Sequence, residues 1–81
     1  MIAYGYDKND EEKNNLCKLS EISLVFKIEE INKMYDFIVK IKNDIGKMSN
    51  PNYVGSNHWH YRDFNKDWTN EESDFIVVVE E

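Results

Sequence analysis

His58 and His60 stand two residues apart in His58-Trp59-His60-Tyr61-Arg62-Asp63-Phe64, and Arg62 follows two further on. In a strand, the period of two places all three on one face. Two imidazoles on one face are half of a tetrahedral zinc shell. The remaining ligands would have to come from elsewhere, and Asp63 points the other way. The run also brushes against the HxHxD opening of binuclear metallohydrolases, which need a larger scaffold and more ligands than two histidines. The reading adopted is an exposed polar face of His58, His60 and Arg62, with Trp59 and Tyr61 turned inward and no metal. Cys17 is the only cysteine. Its one cationic neighbour is Lys18 and no histidine adjoins it, so nothing specific marks a Cys–His nucleophile. Glu71 and Glu72 lie in a polar stretch, where paired carboxylates are most simply solvated. Three glycines leave little from which to build a phosphate cradle, and no P-loop or GxSxG occurs. These residues call for no catalytic site and no cofactor; the chain reads as a binding protein, not an enzyme.

The elements that must position these residues are organised around Ile28 to Met48. Ile31, Met34, Tyr35, Ile38, Ile41, Ile45 and Met48 recur at steps of three and four, one stripe of an α-helix. Lys40 and Asp44 are placed for an i,i+4 pair. No Ser, Thr, Asp or Asn occupies the expected N-cap, and Glu29 and Glu30 compensate by their charge at the positive end of the helix dipole. Gly46 falls inside or just after the helix, and Asn50-Pro51-Asn52 stops it. A helix with one apolar stripe must lie on something, and flanks rich in β-branched and aromatic residues predict a sheet.

Met1 to Tyr6 reads as a short strand. Asp7 to Asn15 is charged, without an apolar residue, and reads as a loop. From Leu16 to Ile28, Ile22, Leu24, Phe26 and Ile28 alternate with Ser23, Val25 and Lys27, so the first set is expected to face the helix. A bulge near Ser20 reconciles Leu19 with that phase, and Val25 points away. A turn-rich connection spans Ser49 to Asn57. Asn65 to Ser73 is a polar loop carrying Trp68. Phe75 to Val79 is apolar on both faces, the pattern of a strand shielded on both sides. The expectation is a single α+β domain over 1–81. Its strands run at about 1–6, 16–28, 58–64 and 74–80 and its helix at about 29–47, in the order ββαββ, with the helix packed across a four-stranded, mainly antiparallel sheet.

The totals narrow the function. A chain of 81 residues buries only about 60% of its unfolded surface, which leaves little room for a deep cleft. A single cysteine, no signal-peptide core and no apolar run of membrane-spanning length point to the cytoplasm. With 16 acidic against 10 basic residues and a net charge of −6, nucleic-acid phosphates are repelled, while a basic protein partner is favoured. Tyr4, Tyr6, Tyr53, Trp59, Tyr61 and Trp68 cannot all fit beneath one helix, and Tyr, Trp and Arg commonly anchor protein interfaces.

Three segments taken together carry a resemblance. SEISLVFKIEEINKMYDFIVKI (20–41) resembles a strand that leads into an amphipathic helix. HWHYRDF (58–64) is similar to a strand with an HxHxR pattern followed by Asp, and W-x5-DFIVV (68–78) resembles a closing strand. In this order they look like small bacterial immunity proteins of polymorphic toxin systems. The helix of that family often opens Ser/Thr-Pro-Glu-Glu, where this chain has Ile28-Glu29-Glu30. The resemblance implies tight, non-catalytic binding to a cognate toxin. It casts Glu11, Glu12, Glu71 and Glu72 as complementary to a basic toxin domain, with His58, His60, Arg62 and Trp68 on the contact surface. The other readings are an acidic phage or host inhibitor or adaptor, and a domain that pairs with its own copy as a homodimer.

Overall fold

The computed structural model describes residues 1–49, 55 and 57–80. Its elements are β1 (Ala3–Gly5), β2 (Cys17–Leu19), α1 (Ile28–Met48), β3 (His58–His60), α2 (Tyr61–Phe64) and β4 (Ile76–Val78). The four strands do not form one sheet. β1 pairs antiparallel with β2, β3 pairs antiparallel with β4, and the two hairpins remain separate. The architecture is thus a small α+β fold with one long helix and two two-stranded ribbons, not one helix on a four-stranded sheet.

The physical reason lies in what the alternating run Ile22-Leu24-Phe26-Ile28 does. It was expected to extend the second strand under the helix, but β2 ends at Leu19 and 21–27 joins no ladder. Without that strand, the first hairpin has no long edge to offer the second. Ile22 and Leu24 are exposed, Phe26 is half-buried and Val25 is 96% exposed.

α1 begins at Lys27, whose backbone is extended (φ −71°, ψ 157°) and whose side chain provides no cap. The Lys27 N–H instead donates to Glu30 Oε1 at 3.3 Å, so Glu30 supplies half of a capping box as well as charge. Gly46 lies within the helix, and Ser49 is its C-cap. The expected Asn50-Pro51-Asn52 stop, most of the 49–57 turn and Tyr53 lie outside the described residues.

The buried stripe only partly matches the one that the apolar spacing predicts: Met34 and Ile41 belong to both, and Phe37 lies outside the predicted set. Phe37 (1% exposed) and Ile41 are buried, with Met34 packed beside them, whereas Ile31, Tyr35, Ile38 and Ile45 are exposed. Phe37 sets the orientation: its ring lies 5.4 Å from Tyr61, 5.5 Å from Phe64 and 6.5 Å from Phe75. Aromatic centroids at these spacings attract one another beyond simple area burial.

α2 answers the same demand. Tyr61 and Phe64, three apart, would face opposite sides of a strand but share one side of a helical turn. The chain therefore leaves the expected 58–64 strand at His60 and makes a single turn, closed by the Asn65 N–H to Tyr61 O at 2.8 Å. β4 was expected to be shielded on both faces, and it is not. Phe75, Val77 and Val79 pack on the core, while Ile76 and Val78 are exposed. No described helix is long and apolar enough to cross a membrane.

Candidate functional site: a His–Asp–Arg cluster and an acidic rim

In the β3–β4 ribbon, His58 is opposite Val78, Trp59 opposite Val77 and His60 opposite Ile76. The period of two turns Trp59 and Val77 to the core and the two histidines to the other face, where their rings lie 5.5 Å apart, edge to face. Arg62 follows in the helical turn and still converges on the same place, because both it and His60 find Asp74. His60 Nδ1 lies 2.7 Å from Asp74 Oδ2, the Arg62 N–H donates to Asp74 Oδ1 at 3.0 Å, and Arg62 Nε is 3.6 Å from Oδ2. Asp74 is the hub of this cluster. Its only sequence signal is its position immediately before the apolar run that forms β4.

Burial pushes the Asp74 carboxyl up, but the His60 hydrogen bond, the Arg62 N–H and the nearby Arg62 guanidinium outweigh it, so the group lies below the ordinary carboxylate range. A carboxylate behind an imidazole is the base half of a hydrolytic triad. Among the described residues, no hydroxyl or thiol hydrogen-bonds to His60, and the Cys17 thiol in the other hairpin contacts Asn15 O at 3.6 Å. The contacts to Asp74 fasten β3 and α2 to the start of β4. Among the described residues, no group of three or more His, Cys, Asp or Glu side chains is placed to hold a metal.

On the other side of β3, Trp59 is half-buried and its indole N–H donates to Asp44 Oδ2 at 2.9 Å, the same oxygen that takes Lys40 Nζ at 2.7 Å. These bonds hold the Asp44 carboxyl below its usual range, Lys40 contributing most and Trp59 next. An open groove of about 250 Å³ lies between α1 and β3–α2, lined by Phe37, Lys40, His58, Trp59, His60, Asp63 and Phe64.

No family model, curated protein or solved structure matches the chain.

The remaining candidate residues lie on two loops. Glu11 and Glu12 are exposed on the loop of the first hairpin, and Glu71 and Glu72 are exposed on the 65–73 connection. The Lys8 ammonium donates to the Glu71 carbonyl, which brings the two loops together. Each loop is shaped from within. The Asp7 and Asp10 carboxylates take the Asn9 and Asn15 N–H groups at 2.8 and 2.9 Å, and Glu72 takes the Thr69 N–H at 2.9 Å. Trp68, expected on a contact surface, is turned inward. It packs against the core and its indole N–H donates to Ser73 O at 3.0 Å, pinning the second loop. Asn65 anchors the base of that loop. It is buried, and its Oδ1 accepts the Asp67 N–H at 3.1 Å and Lys33 Nζ at 3.4 Å.

Proposed function

We propose that the chain is a toxin-neutralising binding protein of the immunity type, acting in the bacterial cytoplasm without catalysis. Its docking edge is the acidic rim of the 7–15 and 65–74 loops. The observation that carries this reading is the Lys8–Glu71 contact. It brings together two loops whose contacting residues are 63 positions apart in sequence, and Glu11, Glu12, Glu71 and Glu72 are exposed on those two loops. Carboxylates presented together raise the rate of encounter with a basic partner, and local potentials of this kind change on-rates by roughly 10- to 1,000-fold. The His60–Asp74–Arg62 cluster sits at the end of the same connection and ties it to β3 and α2.

The test begins by recovering the partner with tagged protein from the lysate of its host, at low and at physiological salt. The association rate is then measured for wild type and for the E11K/E12K/E71K/E72K variant. The variant should associate about 10-fold or more slowly at low ionic strength, with the difference shrinking as salt screens the rim. Equal on-rates at low salt would remove the acidic loops from the mechanism. Recovery of no basic protein at either salt would count against the neutralising role itself.

A further inference from the structure

Among the described residues, the outer face of α1 is left exposed. Ile28 (90% exposed), Ile31 (55%), Tyr35 (69%), Ile38, Lys42 and Ile45 follow one another at steps of three and four. That is an unbroken heptad seam with a single polar position. Around the helix it lies roughly 100° from the Met34-Phe37-Ile41 stripe that meets the core. A soluble helix normally carries one apolar stripe; this helix carries two, and the structure occupies one.

Surface area sets the scale of what is missing. A monomeric globular chain of 9.7 kDa exposes about 5,100 Å², whereas this chain exposes 7214 Å², an excess of about 2,100 Å². The seven undescribed residues, even counted at the extended-chain value of about 170 Å² each in place of a folded share of about 63 Å², add about 750 Å², roughly a third of it. The radius of gyration agrees: 14.3 Å against about 11.7 Å for a compact chain of this length. Obligate homodimers bury about 2,000–5,000 Å² in total, roughly 1,000–2,500 Å² per chain, and the excess falls in that range.

We infer that the outer face of α1 is the interface of a homodimer, in which two copies of the helix pair antiparallel about a twofold axis between Tyr35 and Ile38. Parallel pairing would set Lys42 against the partner's Lys42 inside the seam. Antiparallel pairing in this register sets Ile28 against the partner's Ile45 and Tyr35 against the partner's Ile38. Lys42 then lays its methylene stem over the partner's Ile31 while its ammonium reaches water. Gly46 flanks the seam, and a Cβ added there would meet nothing within 4 Å in its own chain. It is an interior helix glycine, unfavourable by propensity, at a place where a second helix can approach closely. One helix face cannot account for the whole excess, so exposed apolar side chains of the first 27 residues join the contact.

Sedimentation equilibrium of the purified full chain at micromolar concentration tests this. Wild type should sediment at twice 9.7 kDa, and the I38E/I45E variant should return to the single-chain mass. The D36K variant, altered on another side of the same helix, should remain a dimer. Near-ultraviolet circular dichroism of Trp59 and Trp68 confirms that each variant keeps its core. A wild type of single-chain mass up to about 100 μM, well above the dissociation constants of specific dimers, overturns the proposal and leaves the seam to a partner of different sequence. A dimer that survives I38E/I45E with the core intact overturns it equally, by placing the interface elsewhere. The measurement needs no toxin, so its outcome is independent of the neutralising role.

Discussion

Asp74 gathers a histidine, an arginine side chain and a backbone N–H, and Asp44 gathers a lysine and an indole. Both carboxyls lie below their ordinary range in the folded chain. A carboxyl with a depressed folded pKa contributes stability that is fully present above its unfolded pKa and is lost as pH falls through the folded value. The chain should therefore weaken on acidification below the ordinary carboxylate range. In urea unfolding followed by tryptophan fluorescence, Asp74→Ala is expected to cost about 1.5–3 kcal/mol near pH 7, the scale of hydrogen bonds to charged groups. The same substitution should cost little in strong acid, at a pH below the folded Asp74 value, where the ion pair is lost. An equal loss at both pH values would mean that Asp74 acts through packing rather than charge. The Lys33–Asp67 pair at 2.6 Å lies on the surface, and its removal should leave stability almost unchanged.

α1 has two apolar stripes, one on the core and one exposed, and substitutions separate them. Phe37 sits against three aromatic rings, and Phe37→Ala is expected to cost about 3–5 kcal/mol at any protein concentration. A domain of this size has a total stability of roughly 5–10 kcal/mol, so that variant should be largely unfolded at moderate temperature. Tyr35→Ala removes an exposed side chain of the outer seam and should act only through pairing. Its effect on Tm should be present at high concentration and vanish on dilution, since a dimer is stabilised by mass action and a monomer is not. A Tyr35→Ala effect that is the same at all concentrations would place Tyr35 in the fold of the single chain.

At the scale of the molecule, the two halves are unequally secured. None of the residues packed against the Phe37–Ile41–Tyr61 core comes from the first 27, and the first hairpin is only three residues on each strand. Isolated two-stranded hairpins are marginally stable in water. Hydrogen exchange should find the amides of β1 and β2 opening at much lower free energy than those of α1 around Phe37 and Ile41. Uniform protection across both halves would show that the first hairpin is held by contacts as strong as the core. The two acidic loops meet where these halves touch, so whatever docks on the rim would also bridge them.

Much of this was legible in the residues. The 21-residue helix, its Lys40–Asp44 pair, the shared face of His58 and His60, and the inward Trp59 all follow from periods of 3.6 and 2. Those periods are local consequences of backbone geometry. Which apolar stripe is buried is not local. The predicted stripe of seven mixes residues of both faces, Met34 and Ile41 with Ile31, Tyr35, Ile38 and Ile45, but Phe37 alone meets Tyr61, Phe64 and Phe75, and that aromatic cluster exists only once the far half of the chain has folded back. The same holds for the one-turn α2, which forms because Tyr61 and Phe64 must face the same ring, and for Asp74, which no spacing joins to His60. Alternation at Ile22, Leu24, Phe26 and Ile28 names a strand's faces without naming a neighbour to pair with. The sequence by itself determined the helix, the shared face of His58 and His60 and the sign of the charge. Tertiary structure decided that the hairpins stay apart and that half of the helix's apolar surface is left facing outward, because pairing and burial depend on residues that meet only in space.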